Sequence, residues 1–318
     1  VLKGRDVMAL AQTGTGKTAA FVLPILNRLM QGGRRHPRAL IIAPTRELAL
    51  QIEGQCKLLA QNSGLSGALI IGGMPMGRQV NALKNGANII IGTPGRLKDH
   101  VQQGSLSLSK CGVVVLDEVD RMLDMGFIND VRFLLDLLPA ERQSFFFSAT
   151  LSPEINTLIS SFAKDPVTVN VKAGETSDNV HQDVIAYETK PQRLDLLHDV
   201  LLRSDVKKTL IFCEMKYGAE RLAKELVARG FSADALHGGK SQGQRTRALD
   251  SFRASSINIL VATDVAARGI DVIDITHVIN FDEPHSYNDY IHRIGRAGRA
   301  GKIGHALTFV EVKPSVRF

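Results

Sequence analysis

The chain has 318 residues, 44% hydrophobic and 22% charged, so it is long enough to bury the cores of two domains. Its formal net charge of +7 favours a polyanionic partner, although the same charge suits a basic enzyme. No apolar run is long enough to span a bilayer and no secretory leader opens the chain, which argues against a membrane or secreted protein. Cys56, Cys111 and Cys213 lack the spacing of a metal site, so we expect reduced thiols in a cytoplasmic protein.

The amino-terminal residues predict a strand, a loop and a helix. Residues 1–6 are typical of the end of a helix, and because the sequence does not begin with methionine we expect a fragment. A short apolar strand follows at 7–10, and a helical pattern that includes Phe21 begins after residue 16. This order of elements is the context that a phosphate-binding loop needs.

The segment between that strand and helix matches the pattern G-x-x-x-x-G-K-[ST], with Ala11 in place of the first glycine. Backbone N–H groups and the helix dipole would attract a triphosphate, Lys17 would reach its β and γ phosphates, and Thr18 would bind Mg²⁺. A plain glycine-rich turn is the alternative. The predicted nucleotide-binding residues of the loop are Thr13, Gly14, Thr15, Gly16, Lys17 and Thr18.

An acidic motif supports the same site. The apolar run 113–116 suits a central parallel strand, buried on both faces, whose carboxyl end opens onto a ligand crevice. It leads into Asp117-Glu118-Val119-Asp120. Asp117 would hold Mg²⁺, mostly through water, and Glu118 would orient the attacking water in a hydrolysis. A strand that simply ends in solvated acids is the weaker reading once the phosphate loop is present.

Strand-length apolar runs alternate with helical stretches, which indicates an α/β fold with mainly parallel sheets. The first group of predicted strands lies at 39–43, 68–71, 89–91, 113–116, 144–147 and 167–171. The second group lies at 184–187, 209–213, 257–262, 277–281 and 306–310. We therefore predict two domains, 1–171 and 181–318, joined by a polar linker at 172–180.

A basic cluster occupies residues 292–299. In a helix, Arg293, Arg296 and Arg299 would lie near one face. Such clusters usually form a solvated face. With a phosphate loop in the other domain, however, a guanidinium could stabilise charge on the transferred γ-phosphoryl group, an effect of roughly 10³ to 10⁵ in rate in GTPases.

Taken together, these motifs resemble those of DEAD-box RNA helicases, most closely the bacterial RhlE type, and the resemblance covers nearly the whole chain. Further matching segments are 44–49, 72–73, 93–96, 148–150, 210–213, 242–245 and 262–271. The resemblance implies two tandem RecA-like domains, each a mainly parallel sheet flanked by helices. It also implies an ATP-dependent RNA helicase that uses ATP and Mg²⁺.

The resemblance assigns roles residue by residue. For catalysis and nucleotide binding it implies Lys17, Asp117, Glu118, Arg296, Arg299, Gly269 and Asp271, with Asp271 at the ribose. For contacts to RNA it implies Pro44, Thr45, Arg46, Gly73, Thr93, Gly95, Arg96, Gly239, Arg245 and Thr263. For coupling between nucleotide and RNA it implies Ser148, Thr150, Asp120 and His292. Glycines, hydroxyls and arginines hold phosphates without reading base edges, so we expect sequence-independent binding of single-stranded or duplex RNA.

By the same resemblance, we expect ATP and RNA to favour closure of two lobes, with local unwinding of short duplexes or remodelling of RNA–protein complexes. Ribosomal or RNA-turnover assemblies are family-typical settings, and we expect a monomer. Two alternatives stay open. One is a catalytically impaired fragment that acts as an RNA-binding clamp, and the other is a related DNA-dependent ATPase.

The sequence departs from the family pattern in two places that bear on ATP. The family's adenine-reading segment, a glutamine with an upstream aromatic residue, should lie before Val1, so we expect a chain that starts there to bind ATP less tightly and less selectively. Valine stands at position 119 where the family has alanine. Its two extra methyl groups leave both carboxylates untouched, so we expect a modest effect.

Overall fold

The computed structural model describes residues 1–11, 15–31, 38–171, 179–267, 270, 272, 274–298 and 302–312. The chain forms two compact units, Val1–Ala173 and Gly174–Phe318. Each unit holds one sheet of parallel strands flanked by helices, which confirms the predicted fold class. Among the described residues, no helix is both long enough and apolar enough to cross a membrane.

The first unit contains a parallel sheet with the strand order β3-β4-β2-β5-β6-β1-β7. Its strands are β1 (Val7–Leu10), β2 (Ala39–Ile42), β3 (Gly67–Ile70), β4 (Ile89–Gly92), β5 (Val113–Leu116), β6 (Gln143–Ser148) and β7 (Val167–Asn170). Its helices are α1 (Lys17–Met30), α2 (Arg46–Leu59), α3 (Met76–Lys84), α4 (Pro94–Gln102), α5 (Val119–Asp124), α6 (Ile128–Asp136) and α7 (Pro153–Phe162).

Apolar residues fill every position of the central strands β2 and β5 because helices cover both faces of this sheet. In β2, Leu40 and Ile42 belong to one buried layer, while Ala39 and Ile41 belong to the other. Successive side chains of a strand point to opposite faces, so a strand between two such layers needs an unbroken apolar run. This requirement explains why the central strands were visible in the sequence.

The second unit contains a parallel sheet with the order β10-β11-β9-β12-β13-β8. Its strands are β8 (Val180–Tyr187), β9 (Thr209–Phe212), β10 (Ala233–Leu236), β11 (Ile259–Ala262), β12 (His277–Asn280) and β13 (Gly304–Glu311). Its helices are α8 (Lys190–Leu201), α9 (Lys216–Ala228), α10 (Gln242–Arg253), α11 (Asp264–Ala267) and α12 (Tyr287–Ile294).

Three local predictions differ from the structure. Residues 1–6 form a turn, closed by the Gly4 N–H donating to Val1 O at 3.0 Å, and not the end of a helix. Strand β8 begins at Val180, four residues before the predicted start, and β10 was not predicted at all. Both are edge strands of the second sheet and carry exposed or polar residues, so neither makes an apolar run. Of the predicted linker 172–180, residues 172–178 lie outside the described residues, and Val180 already belongs to β8.

Candidate nucleotide and nucleic-acid site

The predicted site residues of the first unit collect at one edge of its sheet. All the strands are parallel, so their carboxyl ends lie along the same edge, where ligands bind in open α/β sheets. The predicted nucleotide residues and the coupling residue Asp120 follow β1 or β5, and the coupling residues Ser148 and Thr150 end or follow β6. The predicted RNA residues follow β2, β3 and β4, which are consecutive neighbours in the sheet. The two sets therefore lie side by side.

The phosphate-loop lysine and the first acidic residue form a buried pair. Lys17 Nζ lies 3.3 Å from Asp117 Oδ1, and their side chains are 9% and 2% exposed. Burial raises the pKa of the Asp117 carboxyl, and the charge of Lys17 acts against this shift. A buried carboxylate in this position gains from any further cation placed beside it.

The start of α1 is suited to an anion. Gly16 precedes the helix with φ of 82°, in the left-handed region that glycine adopts readily, and no side chain caps the helix. The first N–H groups of a helix have no partner within it, and they favour negative charge. Together with the hard oxygen donors of Thr18 and Asp117, this arrangement fits a triphosphate with Mg²⁺. Thr13 and Gly14 lie outside the described residues.

Glu118 is held in an unusual backbone conformation at the end of β5. Its φ of 56° and ψ of 57° are left-handed, which is uncommon for a residue other than glycine. The buried Glu118 Oε2 lies 3.8 Å from Arg121 Nε, also buried. Arg121 was not predicted from the sequence. The available signal was a basic residue three positions after Glu118 in a short helix. Strained backbone of this kind clusters at functional sites.

The predicted coupling residues of the first unit are brought together around Asp120. Its Oδ2 accepts hydrogen bonds from the Ala149 N–H at 3.0 Å, the Thr150 N–H at 3.1 Å and the Thr150 hydroxyl at 3.3 Å. The Ser148 hydroxyl donates to Thr150 O at 2.6 Å, and the Ala11 N–H donates to Ser148 O at 2.9 Å. A continuous chain of hydrogen bonds thus joins the acidic motif, residues 148–150 and the start of the phosphate loop.

The predicted RNA loop at Gly73 is held close to an arginine. Gly73 has φ of 77°, and a Cβ built there would collide with the Arg46 guanidinium. The loop is anchored at Met74 O, which accepts from Arg96 Nη1 at 3.0 Å and from Gln79 Nε2 at 3.2 Å. Gln79 is buried and was not predicted, because a lone glutamine on a helix carries no motif.

The other predicted RNA residues of the first unit lie at helix starts. Pro44 and Thr45 connect β2 to α2, and Thr45 Oγ1 accepts a hydrogen bond from the Leu48 N–H at 3.2 Å. Thr93 precedes α4 without capping it by its side chain. A Cβ at Gly95, in the first turn of α4, would have no neighbour nearer than 3.9 Å. These starts combine small residues with backbone N–H groups, which suits close approach of phosphates.

In the second unit, the predicted RNA residues follow the neighbouring strands β10 and β11 or lie on α10. Thr263 follows β11, and Arg245 is buried on α10. The Gly239 N–H donates to His237 Nδ1 at 3.2 Å, while His237 Nε2 lies 3.0 Å from Glu220 Oε2. The sequence analysis did not single out His237, which positions the glycine loop.

The first arginine of the basic cluster is a buried anchor. Arg293 Nε and Nη2 donate to the two carboxylate oxygens of Asp264, each at 2.7 Å. Its Nη1 donates to Asn280 Oδ1 at 3.2 Å and to Asp282 O at 2.6 Å. This residue therefore joins α12 to α11 and to the carboxyl end of β12, and it does not present a solvated charge.

The described part of the cluster is helical only as far as Ile294, so Arg293 and Arg296 do not share one helix. Helix α12 ends at Ile294, and Gly298 adopts a φ of 67° where a Cβ would meet Val180. Arg296, after the helix, is buried, with Nη1 donating to Ile270 O at 3.0 Å and Nε to His292 O at 3.3 Å. The predicted residues Arg299, Gly269 and Asp271 lie outside the described residues.

These features define a nucleoside-triphosphate-binding α/β protein. They are the strand and helix that flank a phosphate loop, a buried lysine–aspartate pair, and acidic residues at the end of a central parallel strand. Residues 1–158 match the family model described as DEAD/DEAH box helicase, and residues 192–301 match the one described as helicase conserved C-terminal domain. The chain belongs to the DEAD-box helicase family.

Solved structures support this assignment. S. cerevisiae Dbp5 bound to RNA and ADP BeF3 is 31% identical with a TM-score of 0.84, over 97% of this chain and 80% of that one. Mss116p bound to ssRNA and AMP-PNP is 30% identical with a TM-score of 0.86, over 96% and 66%. A DEAD box protein from the hyperthermophile Methanococcus jannaschii is 38% identical with a TM-score of 0.55, over 98% and 84%.

Proposed function

We propose that this protein is an ATP-dependent RNA helicase in which RNA stimulates ATP hydrolysis, and hydrolysis accompanies closure of the two lobes and local unwinding of short RNA duplexes. One observation carries the proposal above the others. The buried pair Lys17–Asp117 and the residue Glu118 lie at the same sheet edge as the loops that match RNA-binding motifs. With a nucleotide site and an RNA site on one edge, binding at one site could directly affect the other.

The chain's own residues would divide the work of hydrolysis. Lys17 and the N–H groups at the start of α1 would bind the phosphates, and Glu118 would orient the attacking water through its carboxylate. Arg296 and Arg299 would stabilise charge on the γ-phosphoryl group. Thr18 and Asp117 would hold Mg²⁺, mostly through water, and the ion would neutralise phosphate charge.

Asp120 would pass the nucleotide state to the RNA loops. It follows the two acidic residues of the nucleotide site and accepts three hydrogen bonds from Ala149 and Thr150. If nucleotide binding moved Asp117 or Glu118, the start of α5 would move with them. The hydrogen bonds of Asp120 would then transmit this movement to residues 148–150. Coupling of this kind is reciprocal, so RNA would raise the affinity for ATP by the same factor by which ATP raises the affinity for RNA.

The RNA contacts in the proposal are those of the family motifs. In the first unit they are Pro44, Thr45, Arg46, Gly73, Thr93, Gly95 and Arg96, and in the second Gly239, Arg245 and Thr263. The Dbp5 structure contains RNA and ADP BeF3, and the Mss116p structure contains ssRNA and AMP-PNP, which supports the proposal. We further infer an RhlE-type enzyme that acts as a monomer in the cytoplasm, on ribosomal or RNA-turnover complexes.

The test is steady-state ATP hydrolysis by this chain without nucleic acid, with single-stranded RNA and with single-stranded DNA, beside the Glu118→Gln variant. We expect strong stimulation by RNA alone and none in the variant, together with separation of a short RNA duplex. Equal stimulation by DNA would favour the DNA-dependent ATPase. RNA binding without hydrolysis above the variant would favour the clamp.

A further inference from the structure

Three histidines line up across the second sheet at the edge opposite the predicted RNA residues Gly239 and Thr263. His277 starts β12 and pairs in register with His305 of β13, which pairs with His181 of β8. The ring centroids of His277 and His305 are 4.7 Å apart, and those of His305 and His181 are 5.4 Å apart. Because the strands are parallel, all three rings lie at the amino ends of their strands.

An aspartate from a separate element meets this row. Asp205 lies in the connection between α8 and β9, and its Oδ2 is 3.6 Å from His277 Nε2. One ligand atom from each of Asp205, His277 and His305 lies within 4.8 Å of the other two. Within the described residues, this is the group of histidine, cysteine and carboxylate side chains that converges closely enough to hold a metal ion.

The His277 ring, at one end of the row, is fixed in place. The His277 side chain is 3% exposed, and its Nδ1 lies 3.1 Å from Thr276 Oγ1. Thr276 Oγ1 in turn accepts hydrogen bonds from the N–H groups of Lys207 and Lys208, each at 3.1 Å. Metal-binding histidines commonly use one ring nitrogen for the ion and the other for a second partner that orients the ring. His277 has this arrangement, with Nε2 on the side of Asp205.

A close ion pair between His277 and Asp205 does not account for the arrangement, because the 3.6 Å between Asp205 Oδ2 and His277 Nε2 is longer than a charge-assisted hydrogen bond. Asp205 is 56% exposed and could turn toward water instead. An imidazole nitrogen beside a carboxylate is, however, a combination that a transition metal ion binds.

We propose that Asp205, His277 and His305 bind a divalent transition metal ion, with Zn²⁺ as the favoured ion and water completing its coordination. Bonds of about 2.0 to 2.1 Å in a tetrahedral zinc site place neighbouring ligand atoms roughly 3.3 Å apart. The His277–Asp205 distance of 3.6 Å is already close to this value. The exposed Asp205 and the partly exposed His305 can move the remaining distance.

The proposed ion would stabilise the second unit and leave the chemistry of ATP unchanged. It would tie the connection before β9 to the amino ends of β12 and β13. The described members of the predicted nucleotide and RNA residues of this unit lie away from this edge: Gly239 and Thr263 follow the carboxyl ends of strands, Arg245 lies on α10 and Arg296 follows α12. The expected readouts are therefore metal affinity and thermal stability.

The test is titration of the metal-free chain, without a polyhistidine tag or nucleotide, with Co²⁺ and Zn²⁺ in excess Mg²⁺. The Mg²⁺ occupies oxygen-rich sites, which bind it in preference to imidazole sites. We expect one equivalent of Co²⁺ to bind with the visible absorption of imidazole coordination, Zn²⁺ to displace it, and Zn²⁺ to raise the melting temperature.

The variants Asp205→Asn and His305→Gln should each weaken Zn²⁺ binding by roughly 10- to 100-fold or more. That range is typical of losing a group that only orients a metal ligand, and each variant removes a proposed ligand itself. They should also abolish the rise in melting temperature. His285→Gln is the matched control, because His285 is an exposed histidine of the same unit outside the cluster. The proposal is overturned if the unmodified chain binds no metal, or if both cluster variants bind Zn²⁺ as tightly as the unmodified chain. It is also overturned if only His285→Gln weakens Zn²⁺ binding.

Discussion

The two units use charge differently at the carboxyl edges of their sheets. In the first unit, site residues face other site residues or their neighbours, as in the pairs Lys17–Asp117 and Glu118–Arg121. In the second unit, Arg293 binds Asp264, and Arg296 donates to backbone carbonyls of its own unit. The first unit thus holds the carboxylates that we propose for hydrolysis in a preformed arrangement. The second combines one arginine that maintains the fold with another that we propose for catalysis.

Removing the proposed catalytic arginine gives the largest expected effect. Arg296→Ala should lower RNA-stimulated ATP hydrolysis by about 1,000-fold, because charge on the γ-phosphoryl group would lose its guanidinium partner. Hydrolysis is measured at saturating RNA, and circular dichroism reports the fold. Arg221→Ala, at an exposed position on α9, is the matched control. A loss of less than about threefold would remove Arg296 from the proposed catalytic set.

Removing the anchoring arginine should act on stability instead. Arg293→Ala leaves Asp264 without its bidentate partner, and breaking a buried ion pair on one side should lower the free energy of unfolding by about 3 kcal/mol. Urea denaturation measures this loss. Arg253→Ala removes an exposed pair with Asp250 and should cost less than about 1 kcal/mol. Equal effects of the two variants would contradict the assignment of Arg293 as an anchor.

Asp120 tests whether the preformed arrangement of the first unit transmits a signal. Asp120→Asn replaces an acceptor of three hydrogen bonds by an amide, so we expect a loss of about 2 kcal/mol in stability. Stimulation of hydrolysis by RNA should fall more than the basal rate. Asp136→Asn, at an exposed position on α6, is the control. An unchanged ratio of stimulated to basal rates would argue against a coupling role.

Val119 gives the smallest expected effect. Its side chain is fully buried in the first unit's core, so Val119→Ala should lower stability by about 1.5 kcal/mol through the loss of two methyl groups. ATP hydrolysis should change by less than about twofold, because both carboxylates stay in place. Urea denaturation and steady-state hydrolysis measure the two effects. A gain in stability would instead show that valine crowds the packing here.

Motif spacing predicted residues of the candidate nucleotide site but not the side chains that hold the site residues and loops in place. The prediction of Lys17 and Asp117 followed from a local pattern, and the structure brings the two side chains within 3.3 Å. Arg121 and Gln79 were missed because their importance depends on which carboxylate or carbonyl lies beside them. No spacing along the chain contains that information.

The amino-acid pattern by itself determined the α/β class and the central strands, because a strand buried on both faces, such as β5, needs apolar residues at every position. Only the tertiary structure decided which arginine of the basic cluster is an anchor and where Asp205 meets His277. These outcomes depend on contacts between residues 29 and 72 positions apart in the chain, for Asp264–Arg293 and Asp205–His277. Such contacts arise from sheet order and register, which local periodicity does not encode.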